Sequence, residues 1–281
     1  MTDTVELTLH VAPDAQDIVS FELSKIGFDA FMQGDTCLKA YLPAPRWTDL
    51  VRTRVVSRLE DLRLKTNFEQ TTIAARDWNT EWEDTMLPMP VGRFLIKPTW
   101  AEIPPEHSDR IIVEIDPKMS FGTGHHESTR LVLRILPGFI HGGELILDAG
   151  AGTGILTIAA LKLGAASAVA FDIDPWAQVN IAENLSLNHL TADFRCGDVG
   201  VVPESGFDVV LANINRNVLV DLLPILARKT RMKAYTVLSG LLLSDRALML
   251  YRAAPFGFVP VCEKNEGDWW SVVLQKNLDI F

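Results

Sequence analysis

Three groups of residues in this chain have the types and spacing to do chemistry. The first is SFGTGHHESTR, Ser120 to Arg130, which joins glycines, two adjacent histidines and several hydroxyls. The second is Gly150, Gly152 and Gly154 in ELILDAGAGTGILTIAALKLGA, Glu144 to Ala165. Glycine there lets the backbone turn tightly and lets a ligand come close to the chain. The third is a series of polar residues further on: Asp172 in AVAFDIDPWA, Asp198 after Cys196-Gly197, and Asn213 in DVVLANINRN.

Spacing separates the ligands that the glycine loop suits. A dinucleotide fingerprint is G-x-G-x-x-G; its third glycine would fall where Ile155 stands. A Walker loop ends in G-K-[ST], which is absent, and the loop has no lysine or arginine to meet a triphosphate. Asp172 follows Gly150 by 22 residues. At a strand end it can accept hydrogen bonds from both hydroxyls of a ribose. Asp174, with Pro175 behind it, reads as a helix cap. Asp198 has two readings, an acceptor for an adenine amino group or a turn aspartate. Asn213 is placed over the same crevice, where its amide can both donate and accept.

Adjacent His125 and His126 make a poor metal pair, because helical sites use i, i+4 spacing and neighbouring side chains diverge. No metal site is expected. One of the two histidines is expected to help cap the next helix and the other to pack. In EGDWWSVVLQK one of Trp269 and Trp270 belongs in the core. The other could face a ligand pocket, where an aromatic face suits a cation.

These groups need a scaffold, and the hydrophobic pattern supplies one. Residues 1–75 read strand, helix, strand, strand, helix, strand. Val5–Val11 alternates apolar and polar residues, and Asp14–Ile26 and Trp47–Leu64 have helical spacing. Gly34-Asp35 reads as a hairpin turn. The order βαββαβ predicts a ferredoxin-like α+β domain. Residues 76–106 hold three tryptophans and many prolines, and read as an ordered linker. Trp78, Trp82 and Trp100 are expected to pack between domains. From 107 to 281 strands and helices alternate. Strands are expected at 144–149, 167–172, 192–196, 207–212 and 233–239, and helices at 126–136, 154–163, 175–188, 215–228 and 244–254. That pattern predicts a mostly parallel sheet covered on both faces. Two late strands near 257–263 and 270–275 are too closely connected for a helical crossover and must run antiparallel.

Bulk properties narrow the function classes. The chain has 281 residues, 48% hydrophobic and 22% charged, with a net charge of −10. No basic stripe points to nucleic acid. No apolar run approaches a membrane span, and the N-terminus lacks a signal-peptide pattern. Three scattered cysteines fit a reducing cytoplasm. No oligomer stripe is visible, so a monomer is expected.

A G-x-G-x-G loop, an acid after the second strand, an acid after the third and an asparagine after the fourth together resemble the class I S-adenosylmethionine-dependent methyltransferases, over about Arg110 to Lys276. MSFGTGHHESTRL, followed by LDAGAGTGILTIAALKLGA, DIDP and LANI, with GRFLIKPTW before them, resembles the ribosomal protein L-eleven methyltransferase family (PrmA) over nearly the full chain. The resemblance implies a Rossmann-like domain with a seven-stranded sheet, preceded by a small substrate-recognition domain. It implies S-adenosylmethionine as cofactor. It also implies transfer of methyl groups to lysine side chains and the N-terminal amine of a large-subunit ribosomal protein. Carried over, the cofactor residues are Thr129, Gly150, Gly152, Gly154, Asp172, Asp198 and Asn213, with Phe121, Gly122, Thr123 and Gly124 bordering the sulfonium and the methyl group. Asn213 is the candidate catalytic residue. Asn215 stands where many members have a leucine. Two other readings remain: a methyltransferase for another protein's lysines and, from a different class, a nicotinamide-dependent oxidoreductase.

Overall fold

The computed structural model describes residues 3–34, 36–62, 64–65, 67–73, 87–116 and 122–278. The chain divides into two compact units, Met1–Trp82 and Glu83–Phe281.

The first unit runs β1 (Thr4–Leu9), α1 (Pro13–Ser24), β2 (Ala30–Gln33), β3 (Leu38–Pro43), α2 (Asp49–Asp61) and β4 (Glu69–Ile73). Alternation along β1 and β3 buries Val5, Leu7 and Leu9 beside Leu38, Ala40 and Leu42. These meet Val19 and Leu23 of α1 and Val55 and Leu59 of α2 in one core. The strand order is β2-β3-β1-β4, all antiparallel, which is the expected ferredoxin-like arrangement. Thr48 caps α2, its hydroxyl accepting from Val51 N at 3.3 Å. The hairpin turn expected at Gly34-Asp35 lies partly outside the described residues.

The second unit opens with a small sheet that composition concealed. Part of the 76–106 stretch read as linker forms β5 (Met89–Val91) and β6 (Phe94–Lys97). They pair antiparallel around Gly92, and β6 continues in parallel to β7 (Ile111–Glu114). Phe94, Leu95, Ile96 and Lys97 are all buried, so β6 shows no alternation to read. Lys97 Nζ meets Glu114 at 2.6 Å, which compensates the buried ammonium. Of the tryptophans assigned to interdomain packing, Trp100 is 46% exposed. Trp78 and Trp82 lie outside the described residues.

The main sheet then forms from β8 (Leu145–Ala149), β9 (Ser167–Asp172), β10 (Asp193–Cys196), β11 (Phe207–Asn213), β12 (Thr230–Leu242), β13 (Phe258–Glu266) and β14 (Trp269–Lys276). Between them lie α4 (Ile155–Lys162), α5 (Pro175–Leu187), α6 (Arg216–Lys229) and α7 (Arg246–Ala253), while α3 (Glu127–Ile135) precedes β8. The order is β10-β9-β8-β11-β12-β14-β13. β14 runs antiparallel to both its neighbours, as the short β13–β14 connection requires.

Side-chain alternation sends successive strand residues to opposite faces. Ile146, Val209 and Leu211 pack with α3, α4 and α5. Leu147, Val210 and Ala212 pack with α6 and α7, where Trp270 is also buried. β8 has β9 on one side and β11 on the other. That is the switch point of the sheet, and a ligand crevice opens there at the carboxyl ends of the strands.

Candidate functional site

The loop after β8 is built on left-handed backbone. Gly150, Gly152 and Gly154 have φ of 74°, 53° and 80°, a region where a Cβ costs roughly 1–2 kcal/mol. A Cβ on Gly150 would also come within 2.4 Å of Ile214 Cγ2. Gly154 is the residue before α4, and its Cβ would meet Ile181 Cγ1 at 2.4 Å. Gly150 and Gly152 therefore border the crevice, whereas Gly154 serves the packing of α4 against α5.

A cavity of about 520 Å³ lies over the switch point, within the usual range for a small-molecule site. Gly150, Gly152, Asp172, Asp198 and Asn213 all line it, with Ile173, Asp174 and Ile214 between them. They follow the strand order of the sheet. Asp198 follows β10, Asp172 ends β9, Gly150 follows β8 and Asn213 ends β11. Adjacent strands are about 4.8 Å apart, so the asparagine and the Asp172 carboxylate stand at opposite ends of a site on the order of 10 Å long.

At the Asp172 end the carboxylates are partly engaged. Asp172 Oδ2 accepts from Gly152 N at 2.9 Å and Oδ1 from Asp174 N at 3.0 Å. An ionised carboxylate offers about four acceptor sites, so capacity remains for a diol. Asp174 caps α5 by accepting from Trp176 N, with Pro175 in the first turn. Asp198 Oδ1 accepts from Gly200 N at 2.8 Å. It is thus a turn aspartate that also faces the cavity. Among the described residues the lining has three carboxylates and no lysine or arginine. A pyrophosphate would meet repulsion there, while a neutral nucleoside or a cation would not.

At the other end stand Asn213, His126, Ser128 and Trp269. Asn213 Nδ2 donates to Thr129 Oγ1 at 3.2 Å. Its Oδ1 is buried and has no hydrogen-bond partner among the described residues. A buried acceptor left unmade costs about 1–3 kcal/mol, which a ligand donor would recover. Thr129 is fully buried. It acts on the site through Asn213 and does not line the cavity. His126 is the N-cap of α3, Nδ1 accepting from Ser128 N at 3.2 Å, and its ring meets Trp269 edge to face at 4.4 Å. Trp270 is the core tryptophan, its Nε1 donating to Glu263 at 3.0 Å. Burial lowers the His125 imidazole below its ordinary value, which favours the neutral ring.

Gly122 and Thr123 do not line the cavity. Gly122 O accepts from Thr153 Oγ1, which ties this loop to the glycine loop. Phe121 lies outside the described residues. Asn215 caps α6, Oδ1 accepting from Val218 N at 3.1 Å, which explains a polar residue at that position. Gly240 escaped sequence reasoning. It has φ of 78°, and a Cβ there would sit 2.5 Å from Ile214 O. A glycine inside a buried strand is the signal that could have found it.

Beneath the loop Asp148 is buried. Its Oδ2 accepts from Thr157 N and Oγ1 at 3.1 and 2.7 Å, while Oδ1 has no partner among the described residues. Burial pushes its pKa up to about 6, against the pull of the two Thr157 hydrogen bonds.

Known proteins share both the sequence and this architecture. The family model for ribosomal protein L11 methyltransferase (PrmA) matches residues 8–277. A ribosomal protein L11 methyltransferase of Chlorobaculum parvum is 34% identical over 280 residues, covering 96% of each chain. One of Porphyromonas gingivalis is 35% identical, covering 94% of this chain and 91% of its own. A crystal structure of ribosomal protein L11 methylase from Lactobacillus delbrueckii subsp. bulgaricus superposes with a TM-score of 0.65 at 26% identity, over 69% of this chain and 100% of that one. A methyltransferase from Pyrococcus furiosus, at a TM-score of 0.51 and 18% identity, covers 59% of this chain and 90% of its own and shares the fold.

Proposed function

Because this chain belongs to the ribosomal protein L11 methyltransferase family (PrmA), we propose that it transfers methyl groups from S-adenosylmethionine to amino groups of that ribosomal protein. Lysine side chains and the N-terminal amine are the acceptors, and the Met1–Trp82 unit recognises the substrate. The observation that carries the reading is the unpartnered Asn213 Oδ1 at one end of a cavity whose other end carries Asp172 and Asp198.

The residues present fit the cofactor. Gly150 and Gly152 leave room for a ligand against the backbone, and Asp172 keeps acceptor capacity for a ribose. Asp198 can accept from an adenine amino group. The three carboxylates that line the cavity suit a positively charged nucleoside better than a dinucleotide. When bound, S-adenosylmethionine supplies a methyl group on a cationic sulfur, open to in-line attack by an amine lone pair.

Every other part of the task falls to the protein. A free lysine, with a pKa of about 10.4, is mostly protonated at neutral pH. The acceptor end must admit it as the neutral amine, and partial desolvation against Trp269 and His126 favours that form. Asn213 Oδ1 accepts one N–H of the amine and directs the lone pair, while Thr129 holds the amide by its other end. Such alignment is the main requirement of a displacement that needs no bond cleavage by the protein. The amine proton leaves to water, because no unengaged base stands beside Asn213 among the described residues that line the cavity. The Trp269 face suits the methylated ammonium formed at each round.

The test is to mix the protein with S-adenosylmethionine and the purified ribosomal protein and to follow intact and peptide masses. Mass steps of one to three methyls on lysine and N-terminal peptides are expected. Cofactor binding without any transfer to this substrate would overturn the substrate assignment and redirect the search to lysines of other proteins.

A further inference from the structure

The acceptor end is walled by two residues that come from distant parts of the chain. His126 precedes α3, and Trp269 opens β14. Their ring centroids lie 4.4 Å apart, edge to face, with His126 held by its cap on α3 and Trp269 by its strand pairing, so the wall joins two separate elements. His126 sits in a loop before its helix, and Trp269 lies beside the β13–β14 turn at Gly267-Asp268.

One carboxylate spans the two elements. Glu266 is the residue paired with Trp269 across the β13–β14 hairpin. Its Oε1 accepts from Arg130 Nε at 2.9 Å and from Arg130 Nη2 at 2.7 Å. Its Oε2 accepts from Arg134 Nη1 at 2.6 Å, one turn further along α3. Arg130 reaches in three directions. Its Nη2 also meets Glu127 at 3.1 Å, and its Nη1 donates to the carbonyl oxygen of His125, the residue before the wall histidine. The arginine side chain is 17% exposed and Glu266 27%, so the pair is shielded more than an open surface bridge. Arg130 holds the Glu266 carboxyl below the usual carboxylate range, and the clamp stays ionised through neutral pH.

We infer that Glu266 and Arg130 are positioning residues, which lock the β13–β14 hairpin onto α3 and the two histidines before it and so set the His126–Trp269 wall against which the acceptor amine is aligned. Neither residue lines the cavity, so each acts through the wall. The inference rests on the functional reading above. A displacement reaction is sensitive to alignment, and a shift of about 1 Å can cost on the order of a hundredfold in rate. The energy of the clamp itself is small, because partly exposed ion pairs add little stability. The clamp therefore affects rate far more than folding.

The experiment is a double-mutant cycle on Glu266→Gln and Trp269→Phe, read as single-turnover methyl transfer with saturating S-adenosylmethionine. In the otherwise unaltered protein Glu266→Gln is expected to slow transfer by about tenfold. The dissociation constant for S-adenosylmethionine should stay within about twofold, and the melting temperature within about 3 °C. In the Trp269→Phe background the same change should cost less than about twofold, because two residues acting through one wall are not additive. Glu266→Asp, which keeps the charge, should recover part of the rate. Equal losses in both backgrounds, or no loss in either, would overturn the clamp while leaving the functional reading intact. An unaltered protein that binds the cofactor but methylates no amine would overturn both.

Discussion

The two ends of the cavity are built on opposite principles. At the Asp172 end the acidic side chains spend their hydrogen bonds on backbone amides. Asp172 holds Gly152 and Asp174, and Asp198 holds Gly200. This end is preformed, and it binds by shape and by spare lone pairs. At the Asn213 end the amide is anchored through Nδ2 and its oxygen is left without a partner. That end keeps an unmet demand, which a visiting amine can satisfy. Changes at the first end should therefore act on cofactor affinity, and changes at the second on transfer.

The largest effect is expected where the preformed end has no slack. Gly150→Ala forces a Cβ into left-handed backbone and against Ile214. It should weaken S-adenosylmethionine binding by about a hundredfold and lower stability by about 2–3 kcal/mol. Calorimetric titration and thermal melting would measure both, and cofactor affinity close to that of the unaltered chain would remove Gly150 from the binding surface.

Next comes the carboxylate that orders the loop. Asp172→Asn keeps the shape but weakens the bond to Gly152 N and to any ribose diol. The cofactor dissociation constant should rise about tenfold, with the transfer rate at saturation little changed. A loss confined to the saturated rate would place Asp172 at the wrong end.

The remaining effect leaves cofactor and transfer aside and concerns stability and pH. Asp148 has a native pKa of about 6, above its ordinary 3.8. Below both values the folded and unfolded chains each hold the proton, and above both each has lost it. Between them only the folded chain keeps it, so this group's contribution falls as pH rises through that window, by about 3 kcal/mol in all. Asp148→Asn cannot ionise, and its stability relative to the unaltered chain should rise between pH 4 and 6. Chemical denaturation at several pH values gives the difference directly. A flat difference would show that Asp148 stays charged in the fold.

Local signals made much of this site legible in the sequence. The glycine turn, the strand-end position of the acids and the Asp174-Pro175 cap each need only a few consecutive residues, and all three are present in the structure, with Gly154 packing α4 against α5 rather than facing the cavity. The strand and helix order of the main sheet followed from alternation and from helical spacing, and the direction of β14 from a short turn. What stayed hidden depends on distant partners. β6 is buried on both faces and carries a lysine, so its pattern imitated a linker. Thr129 lies behind Asn213, 84 positions away, and Gly122 ties down the glycine loop where the resemblance had set it beside the methyl group. Glu266 reaches Arg130 across 136 positions, a pairing no local period can announce.

The division of labour between the two ends is tested most directly at Asn213. Asn213→Ala removes the unpartnered oxygen and leaves the glycine loop and Asp172 untouched. S-adenosylmethionine binding and single-turnover methyl transfer would be measured on the same preparation. Transfer should slow by about a hundredfold or more, with cofactor affinity within about threefold of the unaltered chain. Wild-type transfer by this variant, or an affinity loss that accounts for the whole defect, would contradict that division.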